Sequence, residues 1–147
     1  MQIFSDEYFM REAIKEARKA FEAGEVPVGA VIVANNAIIA RAHNQVEMLT
    51  DATAHAEILA ITAASNHMGS KYLTDCTIYV TLEPCLMCAS ALFWSKLYRV
   101  VYAAPDEKNG FMRFGKKVLH PKTELAYGLM EDECVFLMKD FFKQKRD

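Results

Sequence analysis

From Phe9 to Phe21, apolar side chains recur every three or four residues, through Met10, Ala13, Ile14, Ala17 and Ala20. That spacing predicts an amphipathic helix. Ser5 stands where its N-cap would be, Asp6 and Glu7 suit the first turn, and Gly24 marks the end. Residues 29–34 and 38–41 are short, β-branched apolar runs separated by Asn35-Asn36, a hairpin pattern. Residues 44–52 are polar and without period, and Thr53 reads as the cap of a second helix running through Ile58, Leu59 and Ile61. Residues 76–81 have the texture of a buried strand, with Leu82-Glu83-Pro84 as the turn leaving it. Pro84 suits the start of a third helix, 85–96. A strand at 99–103, a long Gly- and Lys-rich loop at 104–121, a fifth strand at 124–127 and a closing helix at 131–143 complete the pattern. Helix, hairpin, then alternating helix and strand predict an α/β fold, a three-layer α/β/α sandwich on a mixed five-stranded sheet.

Length and composition narrow this further. At 147 residues, with 52% hydrophobic and 24% charged, the chain fits one folded domain, 1–147, that needs no disulfide to stand. No secretory leader pattern and no apolar run of membrane-spanning length is visible. Four cysteines in such a chain are expected as reduced thiols in the cytoplasm, where Cys-x-x-Cys reads as a metal or redox motif. A net charge of −2 leaves any nucleic-acid contact to a local patch. One basic run, Lys108, Arg113, Lys116, Lys117 and Lys122, has no acid within it, and Lys143, Lys145 and Arg146 crowd the C-terminus.

The chemistry lies in His55-Ala56-Glu57 and Pro84-Cys85-Leu86-Met87-Cys88. His55, Cys85 and Cys88 are three soft ligands, which favour Zn2+ over hard cations. Three protein ligands leave a tetrahedral ion one open position for water, the mark of a catalytic site and not a structural one. Glu57, two residues from His55, is free to handle protons. Residues three apart share a helix face, so both sulfurs can converge on one ion. Helix N-termini favour thiolates, and a water held on zinc ionises near pH 7. These parts describe a hydrolase that expels an amine. A thioredoxin-like use of Cys85 and Cys88 would leave His55 and Glu57 idle.

This motif pair resembles that of the zinc-dependent nucleobase deaminases, the cytidine and deoxycytidylate deaminase superfamily. The resemblance covers nearly the whole chain. Glu25-Val26-Pro27-Val28-Gly29-Ala30-Val31, Thr53 to Glu57 and Tyr79 to Ala89 follow the general pattern. Asp106 to Gly110, Glu131 to Cys134 and Asp140-Phe141-Phe142 resemble the bacterial tRNA-specific adenosine deaminases. The resemblance implies a cytidine-deaminase-like fold, a homodimer with one zinc per subunit, and conversion of adenosine to inosine at the wobble position of a tRNA anticodon loop. It further implies that His55, Cys85 and Cys88 hold the ion and that Glu57 shuttles protons. By the same resemblance Asn44 hydrogen-bonds the base, Val28 and Leu82 line its faces, Asp106 and Lys108 meet the anticodon strand, and Phe142 lies near a flanking nucleotide.

Two departures stand out. Ala52 follows Asp51 where the family usually has proline, implying a freer loop. The segment 110–122 is shorter than in some relatives, so its RNA contacts do not carry over. Phe111 and Phe114 are possible stacking surfaces for splayed bases. Cys76 and Cys134 read as core residues, and His43, His67 and His120 as surface or loop histidines. Two other functions share the zinc motifs: a free-base guanine or cytosine deaminase, and a non-catalytic zinc-stabilised RNA-binding subunit. Glu57 argues against the second.

Overall fold

A computed structural model describes residues 4–146. The element order is α1 (Asp6–Glu22), β1 (Gly29–Ala34), β2 (Ala37–His43), α2 (Val46–Leu49), α3 (Ala56–Met68), β3 (Thr77–Leu82), α4 (Leu86–Ser95), β4 (Arg99–Ala104), β5 (Glu124–Tyr127) and α5 (Glu131–Arg146). The side chain of Arg146, part of the C-terminal basic cluster, lies outside the described residues.

The strands form one sheet in the order β2-β1-β3-β4-β5. β1 runs antiparallel to β2 and β3, while β3, β4 and β5 are parallel. Alternation along the central strands feeds two separate cores. Ala30, Ile32, Ile78, Val80, Val100 and Tyr102 pack with α3 and α4 on one face. Val31, Val33, Tyr79, Val101 and Ala103 pack with α1 and α5 on the other. Side chains on a strand point alternately to opposite faces, so these apolar runs are the requirement of a sheet covered on both sides. The sandwich and the mixed sheet are as the pattern predicts.

Local details explain the elements. Asn35 and Asn36 both take positive φ, 50° and 64°, which gives the two-residue turn that matches strand twist. Ser5 caps α1, its hydroxyl accepting from the Tyr8 amide at 3.2 Å. Gly29 is required by space: a Cβ there would lie 2.2 Å from the Ala13 carbonyl oxygen and 2.4 Å from the Ala17 amide nitrogen. The backbone of α1 therefore rests directly on the start of β1.

Three expectations need correction. Thr53 does not cap the second helix; α3 starts later, with His55 in the N-cap position. Thr53 is instead turned toward Asp51, whose Oδ1 accepts from its amide and its hydroxyl, both at 2.8 Å. That turn also pins the loop around Ala52, which is not left free. Finally, His43 is no loop residue: it lies half-buried on β2, with Nδ1 3.4 Å from a Glu16 carboxyl oxygen.

One clamp ties α1 to the sheet. The Asp6 carboxyl receives both terminal nitrogens of Arg99, at 2.8 and 3.0 Å, and the Tyr79 hydroxyl at 2.5 Å. The Arg99 hydrogen bonds hold the Asp6 pKa below its ordinary 3.8. A depressed carboxyl pKa contributes stability above the unfolded-state value and loses it as pH falls through the folded one. Asp6→Asn should therefore lower Tm by about 2–4 °C at pH 7, as roughly 1 kcal/mol from a half-exposed pair would do. The gap from the parent should close below pH 3.8 in a series of thermal melts.

Candidate active site

Strand polarity gathers the site. Gly29 pairs with His43 and its amide donates to the Thr81 hydroxyl at 3.1 Å, so the start of β1 meets the ends of β2 and β3. Leu82 pairs with Ala104, bringing the end of β4 alongside. The segments leaving these ends wall a cavity of about 1130 Å³, with Val28, Asn44, Leu82 and Asp106 each contributed by a different one. A position beyond the carboxyl ends of parallel strands is where α/β sheets commonly hold ligands.

Two helix starts converge there. His55 is the N-cap residue of α3, and Cys85 that of α4, with Cys88 in the first turn. His55 Nδ1 lies 3.7 Å from Cys85 Sγ and 3.5 Å from Cys88 Sγ. Zn–N and Zn–S bonds of roughly 2.05 and 2.3 Å at a tetrahedral angle place N and S about 3.6 Å apart. Both N–S separations match that value, and with all three donor atoms within 4.8 Å of one another the group could hold a zinc ion. His55 and Cys85 face the cavity, whereas Cys88 is fully buried behind them.

The sulfur electrostatics agree. A hydrogen bond from Cys88, with others from His55 and the helix amide, pulls the Cys85 thiol down to about 4. The same bond to Cys85, then burial, pushes the Cys88 thiol up. Two sulfurs this close cannot both carry charge unless a cation stands between them. His55 is raised above its ordinary value, chiefly by its hydrogen bond to Cys85.

Glu57 lies on the cavity wall, yet is only 3% exposed. Burial is the main cause that lifts its carboxyl to about 7. A carboxyl group tuned to this range can both take and return a proton near neutral pH.

Residues 4–104 match the family model described as the cytidine and deoxycytidylate deaminase zinc-binding region. The tRNA-specific adenosine deaminase of Aquifex aeolicus is 46% identical over 146 residues, covering 96% of each chain. This chain belongs to the tRNA-specific adenosine deaminase family. It is a zinc-dependent deaminase with a cytidine-deaminase-like fold. A solved structure from work on A-to-I editing by tRNA:A34 deaminases at the wobble position of transfer RNA superimposes with a TM-score of 0.83 at 40% identity. It covers 88% of this chain and 98% of its own. Guanine deaminase from Bacillus subtilis, 41% identical, aligns with a TM-score of 0.67 over 69% of this chain and 66% of its own.

In this deaminase Asn44 is 7% exposed, and its Oδ1 accepts from the Ala56 amide at 2.8 Å. It is thus the side-chain cap of α3 that Thr53 was expected to be. An amide N–H can only donate, so the oxygen is committed, and Asn44 has its Nδ2 to offer the cavity. Val28 is buried on the wall, and Leu82 half-buried. Asp106 shares the wall, but its Oδ1 accepts from the amides of Lys108 and Asn109 at 3.2 and 3.1 Å, so it shapes its own turn. Lys108 is exposed and outside the cavity lining. Phe142 reaches the cavity at 41% exposure while Phe141 packs inward against Phe21. Phe111 is not a stacking surface: it is fully buried. Phe114 is 47% exposed, beneath the guanidinium of Arg113.

Two wall residues lie within the motifs that carry the resemblance, but nothing in the sequence assigned either of them a role. Glu25 is 3% exposed and accepts from the amides of Glu47 and Met48 at 3.1 and 2.8 Å. Glu83 is 6% exposed and holds the opposite end of the chemistry-bearing β3 turn to a later loop.

Proposed function

We propose that the chain hydrolyses adenosine to inosine at the wobble position of a tRNA anticodon, releasing ammonia, and that it acts as a cytoplasmic homodimer. The observation that carries this reading is the cavity itself. Its floor holds His55, Cys85 and Glu57, and its 1130 Å³ extend out to Phe142, Arg113 and Lys145. Pockets for a whole drug-sized ligand occupy roughly 300–1,000 Å³, so a free base would leave most of this one empty. A looped-out nucleoside with its neighbours uses both the floor and the cationic rim.

His55, Cys85 and Cys88 would hold the zinc, which would supply a water ionised near neutral pH. Glu57 takes a proton from the attacking water as the water oxygen bonds the amine-bearing carbon of the base, and returns that proton to the amino nitrogen, so that the carbon–nitrogen bond breaks and ammonia leaves. Val28 and Leu82 flank the flat faces of the purine, and Asn44 Nδ2 donates to a ring acceptor. Asp106 acts by keeping its turn folded, and Lys108 by meeting the strand outside the cavity. Phe142 stands at the mouth, where a neighbouring base can rest on it. Trp94, 72% exposed on α4, offers apolar surface to a second copy. The cytoplasm suits a site whose sulfurs must stay reduced, and all four cysteines are free. Among the described residues no helix is long and apolar enough to cross a membrane.

The likeness to guanine deaminase favours one rival, turnover of a free base. Both are tested by incubating zinc-loaded protein with an anticodon stem-loop carrying wobble adenosine, and separately with guanine, cytosine and adenine. Inosine should form in the RNA, more slowly as salt rises because phosphate contacts release counterions, and the free bases should persist. Turnover of a free base with the stem-loop untouched would overturn the proposal.

A further inference from the structure

We propose that Glu83 is a positioning residue for substrate binding, which holds the 106–112 loop where it walls the cavity. Glu83 leaves the end of β3 two residues before Cys85. One of its oxygens accepts from the Asp106 amide at 3.0 Å and the other from the Met112 amide at 2.9 Å. The two ends of the loop are thus tied to one side chain. Between them, the Gly110 amide donates to the Asp106 carbonyl at 2.8 Å, and the Phe111 amide to the Pro84 carbonyl at 2.9 Å. Gly110 also makes a β-bridge with Cys85.

Gly110 shows how closely the loop is fitted around this carboxyl. Its φ of −70° is open to any residue, so conformation does not require glycine there. Space does: a Cβ would lie 2.0 Å from Glu83 Oε2 and 2.2 Å from its carboxyl carbon. Buried Phe111 is the loop's apolar anchor, Asp106 and Asn109 are what it presents to the cavity, and Arg113 follows it directly on the same wall. With both oxygens taken by backbone donors, Glu83 is poorly placed to move protons. Its effect reaches the substrate through the loop, and so through the strand flanking the target base.

This inference rests on the RNA-deaminase reading for its substrate, but not for the loop. Glu83→Gln keeps the shape and removes one of the two acceptors, leaving an amide N–H against an NH2 group. Hydrogen exchange at the Asp106 or Met112 amide should then quicken about tenfold or more, with α3 amides unchanged. KM for the anticodon stem-loop should rise about tenfold with kcat within threefold and zinc content kept, the pattern of lost binding. Gly110→Ala, whose Cβ would force the loop at this position apart from the Glu83 carboxyl and the Asp106 carbonyl, should give the same KM shift. Unchanged exchange in Glu83→Gln overturns the anchoring. Faster exchange with unchanged KM, or a fall in kcat alone, overturns the role in binding. A parent protein that leaves the stem-loop untouched refutes the substrate reading instead, and the exchange result still decides whether Glu83 holds the loop.

Discussion

Glu57→Gln is expected to lower kcat by about 10²–10⁴-fold, the usual contribution of a general acid–base group, with zinc content unchanged. Glutamine keeps the side-chain shape, and because the Glu57 carboxyl is hydrogen-bonded to the proposed ligand Cys88, the zinc content of the variant is what separates loss of the proton shuttle from loss of the ion. Its NH2 group can neither accept the proton from the attacking water nor hand one to the departing amine. Both halves of hydrolytic deamination suffer, since the same carboxyl serves attack and departure. Binding should survive, since on the proposed reading the stem-loop is held by the apolar side walls and the cationic rim and not by Glu57 at the floor. The measurement is single-turnover deamination alongside equilibrium binding of the same stem-loop and metal analysis of the purified variant. A variant that retains kcat within threefold would remove Glu57 from the mechanism. A parent that binds RNA but never deaminates it would favour the non-catalytic subunit instead.

The zinc motifs were readable because they are local. His55 and Glu57 are two residues apart, Cys85 and Cys88 three, and the chemistry of each set follows from residue type and spacing alone. The strands were readable for a related reason: the apolar runs through Ala30–Val33 and Ile78–Val80 must supply both cores. What escaped the sequence depends on partners distant along the chain. Thr53 has the composition of a cap, but α3 takes its acceptor from Asn44, twelve residues before Ala56. The single turn of α2 is too short to show a period, and its amides at Glu47 and Met48 are held by Glu25, more than twenty residues upstream. The 104–121 loop hides two short 3₁₀ turns, 111–114 and 116–118, for the same reason. Phe111 sits among polar and basic neighbours that suggest exposure, yet it is the residue that seats this loop. Tertiary contacts, not propensity, decide each of these cases.

Cys88→Ala should cost the protein its zinc and its activity together, while leaving it folded. Cys88 is the buried ligand, 0% exposed, so bulk solvent does not reach its side to replace the missing sulfur. A two-ligand remnant of His55 and Cys85 cannot hold the ion at the concentrations of a dialysed sample, so metal analysis should fall from one zinc per chain to about a tenth or less. Small zinc domains unfold when stripped because the metal is their core. Here the two apolar cores flanking the sheet are built without the ligands, apart from the helix starts they occupy. Loss of zinc should therefore appear as a lowered Tm, by the mass-action stabilisation that a bound ion gives the native state, and not as collapse of the fold. The chelated parent supplies the matched reference. Its Tm should lie within about 3 °C of the variant's, the shift expected from roughly 1 kcal/mol of altered packing at the trimmed side chain. Adding zinc back should restore both Tm and inosine formation in the parent and neither in Cys88→Ala. Retention of one zinc per chain and full turnover in the variant would move the metal away from the junction of α3 and α4, and with it the floor of the proposed site.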